Sequence, residues 1–436
     1  MVYTNTYTRK MYWLSRIIKD SRLVSIVIFC LAFLIFSLRR PDILTNPNLW
    51  AEDGVFWLQD AYNNGFLKSM LNPENGYFQT ISRLVFGVSS LFPLAWAPLF
   101  ANTIGLIIRS LLVTYIFSKR IDFINPRVKI LFAAYILFMP GLAEVHANIT
   151  NTHWYMALYM VLIILSKPAV NKAQKLHDYL IIIIAALSGP FVILAVPIVL
   201  FKIWPKGGTL YLSLSKIKTY LLKNKLLLTV LVLALLQLAT VVITAKSSRS
   251  SAPLGFSFDL LHQILTNRIF LGSILPMEYV LKLTSNNYAS YLLCFTGLAT
   301  VAFTLFKSNW QTRLMILFAA GILALSLIKP MITSQGDQWP LLPYTAGDRY
   351  FVIPNIIFFY CFSFTILKLL KVRFLSLLIV PGLSVCIFLL MQQFSMPPLL
   401  DTGYESSIAK FNSLKKGESM PIPINPEGFS MELIKK

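Results

Sequence analysis

Apolar residues in this chain come in long uninterrupted runs, with little of the strict alternation that marks half-buried strands. Runs long enough to approach the thickness of a hydrocarbon core fall near 23–38, 97–117, 129–143, 154–166, 179–187, 190–203, 226–244, 290–306, 314–328, 351–367 and 374–391. These eleven segments predict an all-α, polytopic membrane protein. The fifth and sixth are short and are separated by Ser188-Gly189-Pro190. Proline breaks a helix there, which predicts a half-length pair. Between the first two runs the pattern changes. Val55, Leu58, Tyr62 and Phe66 recur at helical spacing, and so do Phe78, Ile81, Leu84, Val85 and Val88. Two amphipathic helices lying along the membrane surface fit both stretches. Two extra short spans are the competing reading, and as a pair they leave the downstream orientation unchanged.

Composition agrees with this class. The 436 residues are 56% hydrophobic and 13% charged, so the bilayer must be the solvent for most of the chain. A net charge of +21 would suggest nucleic acid in a soluble protein. Here the cations sit in short connections: Arg9 to Arg22 before the first span, Lys119 to Lys129 after the second, Lys167 to Lys175 after the fourth, Lys202 to Lys225 after the sixth, Lys307 and Arg313 after the eighth, and Lys368 to Arg373 after the tenth. The positive-inside rule makes all of these cytoplasmic, and nucleic acid drops out as a partner in favour of membrane lipid. The chain then divides into a cytoplasmic amino terminus (1–22), a first membrane module (23–205) holding a long outer loop (39–96), a second membrane region (206–391) and an outer tail (392–436). The proline-rich tail reads as an extended arm. The four cysteines lie in apolar runs without metal-ligand spacing and read as buried thiols.

Acids are scarce, 18 Asp and Glu against 39 Lys and Arg. Two adjacent ones in Leu49-Trp50-Ala51-Glu52-Asp53-Gly54, flanked by Trp50, Phe56 and Trp57, therefore read first as a site. The bland reading is that Glu52 and Asp53 cap the helix that follows, worth about 0.3–1 kcal/mol. A second polar cluster runs from Glu144 through His146, Asn151 and His153 to Trp154, with Glu144 and His146 at the spacing of one strand face. A third, Gly347-Asp348-Arg349-Tyr350-Phe351, precedes the tenth span.

The order of these features resembles the GT-C superfamily of polytopic glycosyltransferases: a span, an outer loop opening on an acid, two interfacial helices, a span ending in Lys and Arg, and a short return to a second outer polar cluster. The broken pair around Ala185-Ala186-Leu187-Ser188-Gly189-Pro190 and Pro197 is similar to that superfamily's broken fifth and sixth helices. Trp50–Gly54, Asn151-Thr152-His153-Trp154 and Asp348-Arg349-Tyr350-Phe351 look most like bacterial O-antigen-modifying glucosyltransferases of the Gtr type. The architectural likeness covers residues 20–205.

The resemblance implies inverting transfer of a sugar, glucose in the Gtr case, from a polyprenyl-phosphate donor to a lipid-linked O-antigen or oligosaccharide on the periplasmic face of a bacterial inner membrane. It implies no cofactor and no nucleotide sugar, and it leaves a divalent metal open. The first-loop acid becomes the catalytic base, Asp53 first and Glu52 second, because a sugar hydroxyl attacks only as a carboxylate takes its proton. A donor phosphate needs a cation: Arg349 is best placed, Arg83 next, with Lys246, Arg249 and Arg268 weaker. Glu144, His146, Asn151, His153, Trp154, Trp50 and Tyr350 become the acceptor and sugar-binding set; for Trp154 and Arg349, simple anchoring at the membrane interface competes. The alternative functions are a flippase or transporter of lipid-linked saccharides, which would want ionisable residues in mid-membrane where only Arg109 stands, and a polymerase, which would want several arginines in a late outer loop where 329–350 has one.

Overall fold

A computed structural model describes residues 21–74, 76–204, 219, 221–244, 252–333, 335–344, 346–371 and 373–436. Most of the basic amino terminus and the connection holding Lys206, Lys216 and Lys218 lie outside these residues, as do Lys246 and Arg249.

The described chain is mostly helical. The long apolar runs fold as α1 Ser21–Arg39, α5 Ala97–Ile116, α6 Pro126–Phe138, α7 Thr152–Leu165, α8 Lys172–Ala186, α9 Phe191–Ile203, α10 Lys225–Thr244, α13 Asn287–Lys307, α14 Trp310–Ile328, α15 Asp348–Leu369 and α16 Arg373–Gln392. Among the described residues six helical segments are long and apolar enough to cross a membrane: 22–39, 94–116, 225–244, 287–307, 310–328 and 348–369. Helices α6, α7 and α9 have 13, 14 and 13 residues, below the roughly 20 that a span requires. Helix starts follow local chemistry: Asn125, Asn171, Asn286 and Asn309 accept backbone N–H groups at the first turns of α6, α8, α13 and α14.

Every residue of α7 is buried. A helix that is apolar all round belongs in a core, and α7 is packed by α5, α8, α9 and α15. Its two ends therefore face two different polar environments within one frame. Cys30 is exposed on α1, unlike the buried thiol expected there; Cys294 and Cys361 are buried.

In the first long loop, 39–96, the expected amphipathic helices exist but are shorter and broken. A π-helix, Asp53–Leu58, runs on into α2 Gln59–Asn64 and stops at Gly65, whose φ is +88°. Phe66–Met70 forms α3, and Thr80–Ser89 forms α4. In the second half, α11 Phe258–Ile264 leads into a second π-helix, Leu265–Leu271, followed by α12 Met277–Thr284.

The tail departs from the extended arm that its prolines suggested. It forms α17 Tyr404–Asn412 and an antiparallel hairpin, β1 Ser419–Ile424 with β2 Phe429–Ile434, Ser419 opposite Ile434 and Ile424 opposite Phe429. Ile422, Ile424, Met431 and Leu433 alternate onto one face and are buried with Ile408 and Phe411. The prolines at 421 and 423 fit because β1 pairs with β2 alone.

Candidate functional site

The acidic pair is set by its backbone. Ala51 has φ +39°, a left-handed value costly for a residue with a side chain. Its amide donates to the Asn425 carbonyl at 2.5 Å, and Trp50 bridges Asn425 of the tail. The π-helix begins two residues later and turns Glu52 and Asp53 to different surroundings. Asp53 is 1% exposed. Its two carboxylate oxygens accept the backbone N–H groups of Ile149 (3.1 Å) and Thr150 (2.8 Å). Burial pushes this carboxyl up to about 7, with the two amides, and Arg109 at longer range, holding it down and Glu52 adding to the rise. Glu52 is partly exposed and lies within electrostatic range of Arg349.

The partner turn, 139–151, is built around Arg109. This fully buried guanidinium donates to the carbonyls of Gly105 (2.8 Å), Val145 (2.8 Å) and Asn148 (3.2 Å) and to the Thr152 hydroxyl (2.9 Å), and it lies 4.6 Å from the Tyr155 ring centre. The mid-span cation is thus consumed by the turn. Gly105 lets the turn approach: a Cβ there would stand 2.1 Å from the Ala147 carbonyl oxygen. Ala147, at φ +66°, is the second left-handed alanine at the site. Trp57 ties the π-helix to the same turn, its indole N–H donating to the Thr150 hydroxyl at 2.6 Å.

The third wall is the start of α15. Gly347 enters at φ +69°, and Arg349 pairs with Glu144 while donating to the Met331 carbonyl at 2.8 Å. The Tyr350 hydroxyl accepts the Met331 N–H at 2.8 Å. Asp348 pairs with Arg268 of the second π-helix at 2.5 Å, and Arg268 also donates to the Tyr344 carbonyl and lies 4.5 Å from the Phe351 ring centre. Beside them is a cavity of about 200 Å³ lined by Arg268, Tyr344, Asp348, Phe351, Asn355 and Gln393 among others. Trp154 fills the gap between Phe191 (ring centres 4.7 Å apart) and Tyr350 (6.1 Å).

Three segments far apart in sequence thus converge, bringing Glu52, Asp53, Glu144, Asn151, His153, Trp154, Arg349 and Tyr350 into one neighbourhood. Trp154 is 5% exposed, so it is an interior residue and not part of a lipid-facing aromatic belt. Arg349 is paired with Glu144, where a free snorkelling cation was the alternative. The strand-face spacing of Glu144 and His146 does not hold, because the chain turns there: Glu144 faces Arg349, whereas His146 turns back to the Phe36 carbonyl at 3.0 Å. Burial and the nearby arginines Arg39, Arg109 and Arg40 keep His146 well below its ordinary value, hence neutral. Arg83 stands behind the acidic helix, 5.0 Å from the Trp57 ring and paired with Asp60 at 2.9 Å, a support for that helix. Trp50 contributes its backbone.

Sequence reasoning ranked Arg268 low because its loop had no fixed position; the π-helix places it. Asn355, which lines the cavity beside Arg268, was missed, since a single amide in an apolar run carries no pattern. Among the described residues no group of three or more His, Cys, Asp or Glu side chains comes together to hold a metal. Comparison with protein-family models, with curated proteins and with solved structures finds no match.

Proposed function

We propose that this protein is a GT-C-like membrane glycosyltransferase. It transfers one sugar, glucose by its resemblance to the Gtr type, from a polyprenyl-phosphate donor to a lipid-linked O-antigen or oligosaccharide, with inversion, on the periplasmic face of a bacterial inner membrane. The observation that carries the reading is the convergence itself. The acid of the first outer loop, the polar turn before α7 and the arginine in the first turn of α15 meet at one place, as a carboxylate base, an acceptor cradle and a phosphate-binding cation must.

The proton affinity of Asp53 suits a general base, since a carboxyl poised near 7 both ionises and accepts a proton at neutral pH. Exposure favours its neighbour: Glu52 is partly exposed and within electrostatic range of Arg349, whereas both oxygens of Asp53 are bonded to amides. Asp53 is the base we assign, and Glu52 is the competitor that exposure favours. Arg349 is held by Glu144 and the Met331 carbonyl with its fork formed in advance, and the donor phosphate would exchange for one of these acceptors. The neighbouring cavity with Arg268 gives the leaving phosphate room at the membrane face. Asn151 and Trp154 each keep a buried polar atom without a partner, Oδ1 and Nε1, suited to sugar hydroxyls.

The proposed topology of eleven spans with an inside amino terminus puts the first loop and the tail on the same side. The hydrogen bonds between Ala51 and Asn425 and between Tyr404 and Leu94 support that pairing. The transporter reading loses the residue it needed, because Arg109 is bonded to its own turn. The deciding test is donor turnover by the purified protein in lipid nanodiscs. Release of polyprenyl phosphate with a hexose added to a lipid-linked acceptor is expected. Acceptor movement between leaflets without donor consumption would replace this reading with the flippase.

A further inference from the structure

We infer that Asn425 in the tail is a positioning residue that holds the acidic pair in place from the side opposite the 139–151 turn. Asn425 is 2% exposed and makes four hydrogen bonds. Its backbone N–H donates to the Leu49 carbonyl (3.0 Å), and its carbonyl accepts the Ala51 N–H (2.5 Å). Its side chain closes on the tail's own entrance, Oδ1 accepting from Leu400 N–H (3.0 Å) and Nδ2 donating to the Leu400 carbonyl (2.9 Å). The residue it grips is Ala51, whose left-handed backbone immediately precedes Glu52. An alanine keeps such a conformation only when its surroundings over-determine it, and the Asn425 carbonyl is the partner of its N–H.

The rest of the tail docks around this point. Ile424 and Met431 press on Gly54, where a Cβ would lie 2.6 Å from Ile424 Cδ1. Along the edge of β2, Asn63 donates to the Glu432 carbonyl (2.8 Å) and accepts the Ile434 N–H (3.1 Å), and Gln59 accepts the Glu432 N–H (2.7 Å). Asp53 is therefore clamped between two independent elements. The turn holds its carboxylate, and the tail holds the backbone at Leu49 and Ala51, just before it. If the tail lets go, Ala51 can relax toward ordinary backbone angles, and the pair rotates away from the Ile149 and Thr150 amides toward water.

The charged groups around Asp53 are few, which makes the consequence readable. Glu52 adjoins it and Arg109 reaches it from α5. Of the other elements packed there, α4 presents Arg83, paired with Asp60, and the turn presents Glu144, paired with Arg349; on the tail, Glu432 is exposed. None of these pairs is made by Asn425, so a change in Asp53 on altering Asn425 reports position and not the loss of a charge.

This inference rests on the site proposed above, but its test does not require that the protein transfer sugar. The full-length protein in nanodiscs is titrated by infrared difference spectroscopy, with Asp53→Asn as the subtraction that isolates the Asp53 carboxyl. In the wild type that carboxyl is expected to titrate at about 7. Asn425→Ala keeps the backbone carbonyl that holds Ala51 but frees it from the Leu400 clamp that fixes its position, and there the carboxyl is expected to fall toward the ordinary carboxylate range as water returns. Donor turnover should drop by roughly tenfold or more through kcat, with KM for the donor unchanged, because misplacing a reacting group costs rate and not affinity. Asn425→Leu keeps the volume and removes both Leu400 hydrogen bonds without adding a charge, so it should follow the alanine variant. It also decides the matter alone should the alanine variant fail to assemble. A folded variant in which the Asp53 titration stays at its wild-type position overturns the inference. Absence of donor turnover in the wild type defeats the transferase reading and leaves the titration still deciding Asn425.

Discussion

The two ends of α7 hold polar clusters of opposite character. At its carboxyl end Arg120 forks onto Asp178 at 2.8 and 2.5 Å and donates to the Lys167 carbonyl at 2.9 Å. His177 bridges Asp178 (3.0 Å) and the Tyr159 hydroxyl (2.7 Å), Tyr115 and Ser166 share a hydrogen bond at 2.9 Å, and Lys202 donates to the carbonyls of Ile164 and Ser166. That network is closed. At the amino end, buried atoms of Asn151, Trp154 and Asn355 have no partner, two alanines are left-handed, and a buried carboxyl sits near neutrality. A closed network fixes a fold. An open one, carrying strain and unmet hydrogen bonds, is what a site that expects a ligand looks like. The comparison separates two clusters that composition alone would rank alike.

The sharpest way to break this contrast is at the acidic pair. Asp53→Asn keeps the size and removes the proton acceptor, so transfer should fall by about 10²–10⁴-fold while the protein still folds and binds donor. Steady-state turnover beside donor binding checks it. If Glu52→Gln is dead and Asp53→Asn active, the base moves one residue along the chain. If both remain active, the cluster at the amino end of α7 is as structural as the one at its carboxyl end.

Arg120→Ala should do the reverse. Taking the arginine from buried Asp178 leaves it only His177 and costs about 3–5 kcal/mol, so thermal unfolding in detergent should shift strongly downward, while turnover per folded molecule stays at the wild-type value. A fall in turnover at unchanged stability would show that the closed cluster takes part in the chemistry.

A smaller effect is expected at the cation. Arg349→Ala should weaken donor binding by roughly 10- to 150-fold, the worth of one charge-assisted contact at about 1.5–3 kcal/mol. Arg349→Lys should recover part of it, because an ammonium cannot reproduce the fork. Unchanged donor affinity by calorimetry would reduce Arg349 to a strut for Glu144.

The smallest signal is in stability against pH. Asp53 binds its proton more tightly when folded, at about 7, than the ordinary carboxyl of the unfolded chain does. Between about 4 and 7 the folded state therefore holds more protons, and the contribution of this group to stability declines as pH rises through that window. Unfolding temperatures measured at pH 5 and pH 8 should show this decline in the wild type, and its loss in Asp53→Asn. As a base, the same group gives turnover that rises with pH through about 7 and then levels.

Much of the helical framework was legible before any tertiary contact. Each apolar run from 97–117 to 374–391 has a helix at its place, because a long apolar segment in lipid has no other way to satisfy its backbone. Ser188-Gly189-Pro190 does separate α8 from α9. The tail was misjudged as an extended arm for a physical reason. Its alternation is short and broken by proline, and the hairpin exists because α17 and the first loop cover its apolar face. The importance of Arg109 as the organiser of a turn was equally hidden, since its partners are carbonyls, which every residue possesses.

The sequence by itself determined the solvent. Its apolar fraction demands a bilayer, its run lengths set the helices, and its scarcity of acids picks out Glu52 and Asp53 as a pair worth asking about. Only the tertiary structure decided how those acids are used. Which one is buried, which stays partly exposed, and how strongly Asp53 holds a proton depend on the Ile149 and Thr150 amides, the bend at Ala51 and the grip of Asn425. Hydropathy is a local sum over neighbouring residues and is written along the chain. Desolvation and hydrogen-bond geometry are sums over space, drawn here from segments up to 374 residues apart in the chain, and no run of letters contains them.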